Sequence, residues 1–333
     1  MNRKLWIDYA RGICAFCVLL AHSTSHEYIL FLFNGFFLML FFFISGYLHR
    51  DRNIKDSIHN LFRSLIIPYF CLNLLGILCY TGSIKLIVSG DMEYIQTTII
   101  SILWGRSLWF VSCLVCVRLL FLFIQSILNK IGKWNNTIIL LLSIVAISFV
   151  FIVNEHPVNE APFWYCTTAL YSFGFYLLGN YCKKINLDDK LPEINRSYAV
   201  IILVLYFVIS YCIQTSLDVE FHVYTDSFKS PIVFILLALS GIACICYFAI
   251  SICDISRSSV NKYIIMLGQN SLLLFAINSK IRITLIKIFA FTHVDEIPDP
   301  AYVILLCIVQ GVCVICVGYF VNKNIPWVVG KHR

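Results

Sequence analysis

Charge is what this sequence has least of. Only 13% of its 333 residues are Asp, Glu, Lys or Arg, against about 25% in an ordinary soluble domain, while 60% are hydrophobic. That excludes a soluble fold of this length. Sustained apolar/polar alternation is also missing, which excludes a transmembrane β-barrel. There is no internal repeat and no polar stretch long enough for a separate soluble domain, so residues 1–333 read as a single transmembrane domain. A cleavable leader is not expected, because the first apolar stretch carries Arg11 and lacks a small-residue cleavage site. Nor is a metal: the C-x2-C pairs Cys113/Cys116 and Cys313/Cys316 have no His or acid arranged around them. Most of the fifteen cysteines sit in apolar runs, as small hydrophobes rather than a disulfide framework.

What is present is a series of long apolar runs. At about 20 residues per crossing, ten spans are expected: 5–24, 30–48, 64–81, 107–128, 136–153, 164–182, 198–215, 231–253, 263–281 and 301–321, with 94–104 as a short interfacial or re-entrant piece. Backbone groups in lipid must be satisfied within the segment, so the fold class is an all-α polytopic membrane bundle.

Lys and Arg gather on alternate connecting segments. One side holds Arg3 and Lys4; Arg50, Arg52, Lys55 and Arg63; Lys130 and Lys133; Lys183, Lys184, Lys190 and Arg196; Arg257 and Lys262; and Lys323, Lys331 and Arg333. The other holds Lys85 and Lys229, with Lys280, Arg282 and Lys287 ambiguous at the end of the ninth span. The positive-inside rule then puts both termini in the cytoplasm. The net charge of +7 thus reports topology and contact with anionic lipid, not nucleic acid.

Charges inside apolar runs are costly and face a cavity or a partner. The first span carries Asp8, Arg11 and His22. Eleven steps of about 100° bring Arg11 and His22 to one helix face, ~16 Å apart along the axis. His22 suits general-base work, or equally a helix-end histidine at headgroup level. Asp8 and Arg11 form an i,i+3 pair, either a plain ion pair or a device aiming the Arg fork at an anion. Arg118 lies mid-span and must face the bundle interior. Ser45 reads as a nucleophile or a close-packing position, Trp109 as a channel wall or interfacial anchor, and Tyr69 is equally open. His26 either orients His22 or is a solvated loop residue.

Five motifs in order resemble the membrane acyltransferase-3 family. They are Asp8-Tyr-Ala-Arg11-Gly-Ile with His22 as Arg-x10-His; Leu40-Phe-Phe-Phe-Ile-Ser-Gly-Tyr47; Arg63-Ser-Leu-Ile-Ile-Pro68-Tyr69; Leu108-Trp109-Phe110-Val111; and Leu267-Gly-Gln-Asn-Ser271-Leu. The resemblance covers residues of about 5–280 and is closest to the branch that O-acetylates sugars. It implies transfer of an acetyl group from cytoplasmic acetyl-CoA, as co-substrate, to a hydroxyl of a cell-surface polysaccharide or lipid-linked sugar at a bacterial plasma membrane. Carried over by position, His22 is the catalytic base, Arg11 the CoA contact and Arg63 part of the loop meeting the nucleotide phosphates. The second Arg of that loop is Asn60 here, so its grip is weaker or borrowed from Arg50 or Arg52. The late motif often ends in His, but here ends in Asn278, which orients without titrating. A homo-oligomer and a separate transferase partner both remain open. The rival from another class is a glycan transporter or flippase, which also needs in-membrane Arg and His in line; the paired broken helices of such folds are not seen.

Overall fold

The computed structural model describes residues 4–24, 26–78, 92–132, 134–155, 161–190, 195–252, 258–292 and 299–331. Arg3, Lys85, Lys133, Arg257 and Arg333 of the charge distribution lie outside them. The helices are α1 Leu5–Ser23, α2 Phe37–Tyr47, α3 Ile54–Leu61, α4 Ile67–Leu78, α5 Met92–Leu103, α6 Trp109–Lys130, α7 Asn136–Glu155, α8 Cys166–Lys184, α9 Arg196–Ser216, α10 Pro231–Ile252, α11 Ser259–Gln269, α12 Ser271–Phe291 and α13 Asp299–Asn324. Their starts carry familiar signals: Pro231 opens α10 with its fixed φ, and the Asn195 side chain caps α9 by accepting from the Ser197 amide at 3.1 Å.

The chain folds as a helical membrane bundle. Seven described helical segments are long and apolar enough to cross a bilayer: Leu5–Ser23, Ile54–Ile77, Trp109–Lys130, Asn136–Glu155, Arg196–Ser216, Pro231–Ile252 and Asp299–Asn324. The other three expected spans fall on helices of different form. In the second, a short helix Glu27–Leu30 gives way to hydrogen-bonded turns at residues 31–36 before the helix Phe37–Tyr47. The sixth is α8, which ends in Lys183 and Lys184. The ninth is not one helix: the backbone breaks at Asn270, between α11 and α12, and α12 runs on to Phe291. The Asn270 side chain bonds back to the Met266 carbonyl at 2.8 Å, and Gly318 of α13 leaves room for it. The piece expected at 94–104 lies on α5.

Helix α1 sits at the centre, touching α2, α10, α11, α12 and α13. Its contact with α11 is backbone on backbone. A Cβ on Gly12 would overlap the Ile264 carbonyl, and one on Gly268 would overlap the Asp8 carbonyl. With lipid tails as apolar as leucine, association in a bilayer relies on such small-residue approaches and on the dispersion they permit. The pair Gly46 and Gly179 closes α2 onto α8 in the same way, against Tyr176 and Phe43.

At one end of the bundle, Asp188 gathers three elements. It accepts from Lys4 at 2.5 Å, Tyr47 at 2.7 Å and Trp6 at 3.3 Å, joining the starts of α1 and the end of α2 to the turn after α8. At the opposite end, two-residue strands Phe221–His222 and Ser227–Phe228 pair antiparallel, and Asp226 between them accepts from Thr167, Thr168 and Tyr171 of α8.

Two stability outcomes follow. Gly12→Ala should destabilise the detergent-purified protein by about 1–3 kcal/mol or more, the cost of overpacking. Gly76→Ala, whose nearest neighbour atom is 3.9 Å away, should be neutral or stabilising by up to about 1 kcal/mol; thermal unfolding of both variants checks the contrast. At Asp188, burial works to raise the carboxyl, but hydrogen bonds from Lys4, Tyr47 and Trp6 outweigh it and hold the group below its usual range. The stabilisation is therefore present above the unfolded carboxylate pKa of about 3.9 and lost as pH falls through the folded value. Asp188→Asn should lower the melting temperature at pH 7, with the gap to wild type closing in acid.

Candidate functional site

A cavity of about 260 Å³ opens where α1, α2, α6, α11, α12 and the C-terminal turn meet. Arg11, Arg118, Lys331, Ser45, Ser64, Gln269 and Ser271 give it a cationic and hydrogen-bonding lining, and Phe41, Phe110, Leu114, Leu272 and Phe275 an apolar one. The apolar wall is a packed aromatic unit. The rings of Phe110 and Phe275 stack at 4.7 Å, and Phe41 meets them edge-on at 5.5 and 5.3 Å. The α1–α11 backbone contact fixes the other wall, because it presents Arg11 and Gln269 side by side. Asp8, buried behind them, accepts from the Gln269 amide at 3.4 Å.

A second cavity of about 200 Å³ is lined by Leu48, His49, Arg50, Arg52, Ser57, Asn60 and Arg118. Arg118 borders both cavities. Its Nη1 donates to the Ser64 hydroxyl at 3.0 Å, and it lines the second cavity together with His49. His49 is fixed in turn by Tyr176 at 3.0 Å and by Lys183, which donates to its carbonyl. Two adjoining chambers lined by cations, one ending in an apolar aromatic wall, can hold an extended ligand with several anionic groups and a less polar tail.

The structure brings Arg11, Ser45 and Arg118 to the first cavity and separates them from other candidates. Arg63 is exposed and lines neither chamber. It lies on a π-helical turn, Phe62–Ile66, on which Ser64 lines the first cavity while Arg63 stays exposed. Arg50, Arg52 and Asn60 occupy the second chamber instead. Tyr69 is fully buried and donates to the Ile102 carbonyl at 2.6 Å, tying α4 to α5. Trp109 packs against Tyr165 at 5.4 Å and Tyr224 at 5.6 Å, beside two residues, Trp164 and Tyr165, held at positive φ. Asn278 is buried on α12 and its Oδ1 has no partner among the described residues. His22 is exposed at the far end of α1, and His26 pairs with Asp299 rather than with it.

A family model described as an acyltransferase domain matches residues 4–319. The chain belongs to the acyltransferase-3 family. No curated protein and no solved structure gives a significant match. The match spans all five motifs, and the structure gives several of them a physical task in this acyltransferase: Gly46 and Gly268 are close-approach points, and Arg11, Ser45, Phe110 and Ser271 line the cavity.

Three residues of the acyltransferase cavity carry no sequence signal of their own. Ser64 lies on the π-turn. Gln269 sits in the variable interior of the Leu-Gly-x-x-Ser-Leu motif. Lys331, bonded to Asn322 at 2.9 Å, is delivered by the 3₁₀ turn Pro326–Val329. If the cavity is water-accessible, Ser45→Cys should react with a charged thiol reagent at least ~10-fold faster than Ser112→Cys, which is fully buried. Site-resolved mass spectrometry reads both; equal rates would remove the cavity.

Proposed function

We propose that this membrane acyltransferase is an O-acetyltransferase. It takes acetyl from cytoplasmic acetyl-CoA and delivers it to a hydroxyl of a cell-surface polysaccharide or lipid-linked sugar in a bacterial inner membrane. The observation that carries the reading is the pair of adjoining cation-lined chambers joined at Arg118, with Arg11 in the inner one on the same helix as His22. Phosphates suit guanidinium forks and lysine, so the CoA nucleotide belongs in the outer chamber among Arg50, Arg52 and Arg118. Its pantetheine arm then passes Arg11 and Ser45 towards the aromatic wall. The basic end of the bundle is the cytoplasmic one in this reading, with ten crossings, both termini inside and the whole chain acting as one domain.

His22 lies ~16 Å further along α1 from Arg11, at the opposite end. There it accepts the proton of the acceptor hydroxyl, as neutral imidazole can. Asp8 positions Gln269 and, through it, the cavity wall beside Arg11. No metal enters the reaction.

The test is transfer of labelled acetyl from acetyl-CoA to envelope glycan by proteoliposomes holding the wild-type chain or a variant. His22→Ala should abolish transfer while leaving CoA binding intact. Arg11→Ala and Arg118→Ala should each raise KM for acetyl-CoA about 10- to 100-fold, the worth of a charge-assisted hydrogen bond. Wild-type transfer by His22→Ala overturns the mechanism, and glycan translocation without acetylation overturns the reading in favour of a transporter.

A further inference from the structure

Helices α1 and α12 pack together, and the cavity shows their relative direction. Arg11 of α1 and Ser271 of α12 line the same chamber. Eleven residues further along each helix stand His22 and Arg282, and α13 puts the two at one level. Ser23, next to His22, donates to Gln310 at 3.0 Å. Asn322, twelve residues further along α13, donates to Asn270 at 3.0 Å, twelve residues before Arg282 on the antiparallel α12. The helices therefore run parallel at equal rise, and the same ~16 Å separates both pairs. On α12, Ser271, Phe275, Asn278 and Arg282 recur at helical spacing, so one face runs from the chamber to the His22 end. Asn278, midway, is 3% exposed, and its Oδ1 has no hydrogen-bond partner among the described residues.

Arg282 itself is half-buried, and its Nε is shielded from solvent with no hydrogen-bond partner among the described residues. A guanidinium partly withdrawn from water is expensive to leave with an unmade bond. Among the described residues no carboxylate pairs with it: the ion pairs at this end join His26 to Asp299, Lys229 to Asp218 and Glu220, and His222 to Glu220.

We propose that Arg282 is a catalytic residue that binds the carbonyl oxygen of the acyl donor opposite His22. This rests on the transferase reading above. In the step, His22 takes the proton of the acceptor hydroxyl as that oxygen bonds to the thioester carbonyl carbon. The carbonyl π pair moves onto its oxygen, and the negative charge forms against the Arg282 guanidinium. Collapse restores the carbonyl and breaks the carbon–sulfur bond, and the departing CoA thiolate takes the proton back from the imidazolium. A fixed cation where charge develops lowers the barrier without tightening ground-state binding.

The experiment compares wild type, Arg282→Ala, Arg282→Lys and His22→Ala in proteoliposomes with labelled acetyl-CoA and envelope glycan. Direct CoA binding and thermal unfolding are measured on each. Arg282→Ala should lower kcat by about 10²- to 10³-fold with CoA affinity within about 2-fold of wild type. Arg282→Lys should recover part of the loss, and millimolar guanidinium should partly rescue Arg282→Ala but not His22→Ala. If His22→Ala is inactive while Arg282→Ala turns over normally, or loses only CoA affinity, the proposal is overturned and the transferase reading stands. A loss in Arg282→Ala that tracks a lowered melting temperature, with no rescue by lysine or guanidinium, also overturns it. Absence of transfer by the wild-type chain removes the parent reading and this one with it.

Discussion

The backbone contact between α1 and α11 is the constraint on which the rest of the site depends. Gly12 and Gly268 let two helices approach until a carbonyl oxygen of each occupies the space that a Cβ on the other would need, closer than any side chain permits. At that separation the Asp8 carboxylate reaches Gln269, and Arg11 is held at the chamber rather than at lipid. Move the helices apart by one methyl group and Arg11 loses its wall. In a bilayer, where no hydrophobic force presses helices together, geometry of this kind replaces what a soluble core obtains from water.

The same constraint gathers several cations in one place. Arg11, Arg118 and Lys331 share one chamber, an arrangement that repels itself unless water or an anionic ligand enters. Two of them are held by polar neighbours: Arg118 by Ser64 and Lys331 by Asn322. The stability of this region and its affinity for anions are therefore opposed, a common tension at functional sites.

Much of this was legible in the sequence, and the exceptions have physical causes. The helical class follows from scarcity of charge, and the shared face of Arg11 and His22 from their spacing alone. Arg118 could be placed inside because a mid-span guanidinium has nowhere else to go. Arg63 lines neither chamber, because a motif specifies order along the chain and not which side of the turn at Phe62–Ile66 faces inward. Lys331 was counted only as a topological charge, since its arrival depends on a turn more than fifty residues beyond its neighbour Gln269. Arg282 reads in the sequence only as an ambiguous charge at the end of a span; the spacing of Ser271, Asn278 and Arg282 becomes a helix face because α12 runs on to Phe291. The break at Asn270 was hidden because Asn interrupts a helix only where something accommodates its side chain, here Gly318 on another helix.

That break has an electrical side. Interrupting a helix inside a membrane frees backbone groups that lipid cannot satisfy, which is tolerated only where they meet protein or a cavity. The last turn of α11 supplies Gly268 and Gln269 to the chamber and the first turn of α12 supplies Ser271 and Leu272. The negative end of one macrodipole and the positive end of the next, each worth roughly half an elementary charge, therefore meet at the Arg11 chamber. The break thus sets backbone acceptors and backbone donors beside the guanidinium, and that polarity persists at any pH and through any side-chain substitution that leaves the two helix ends in place.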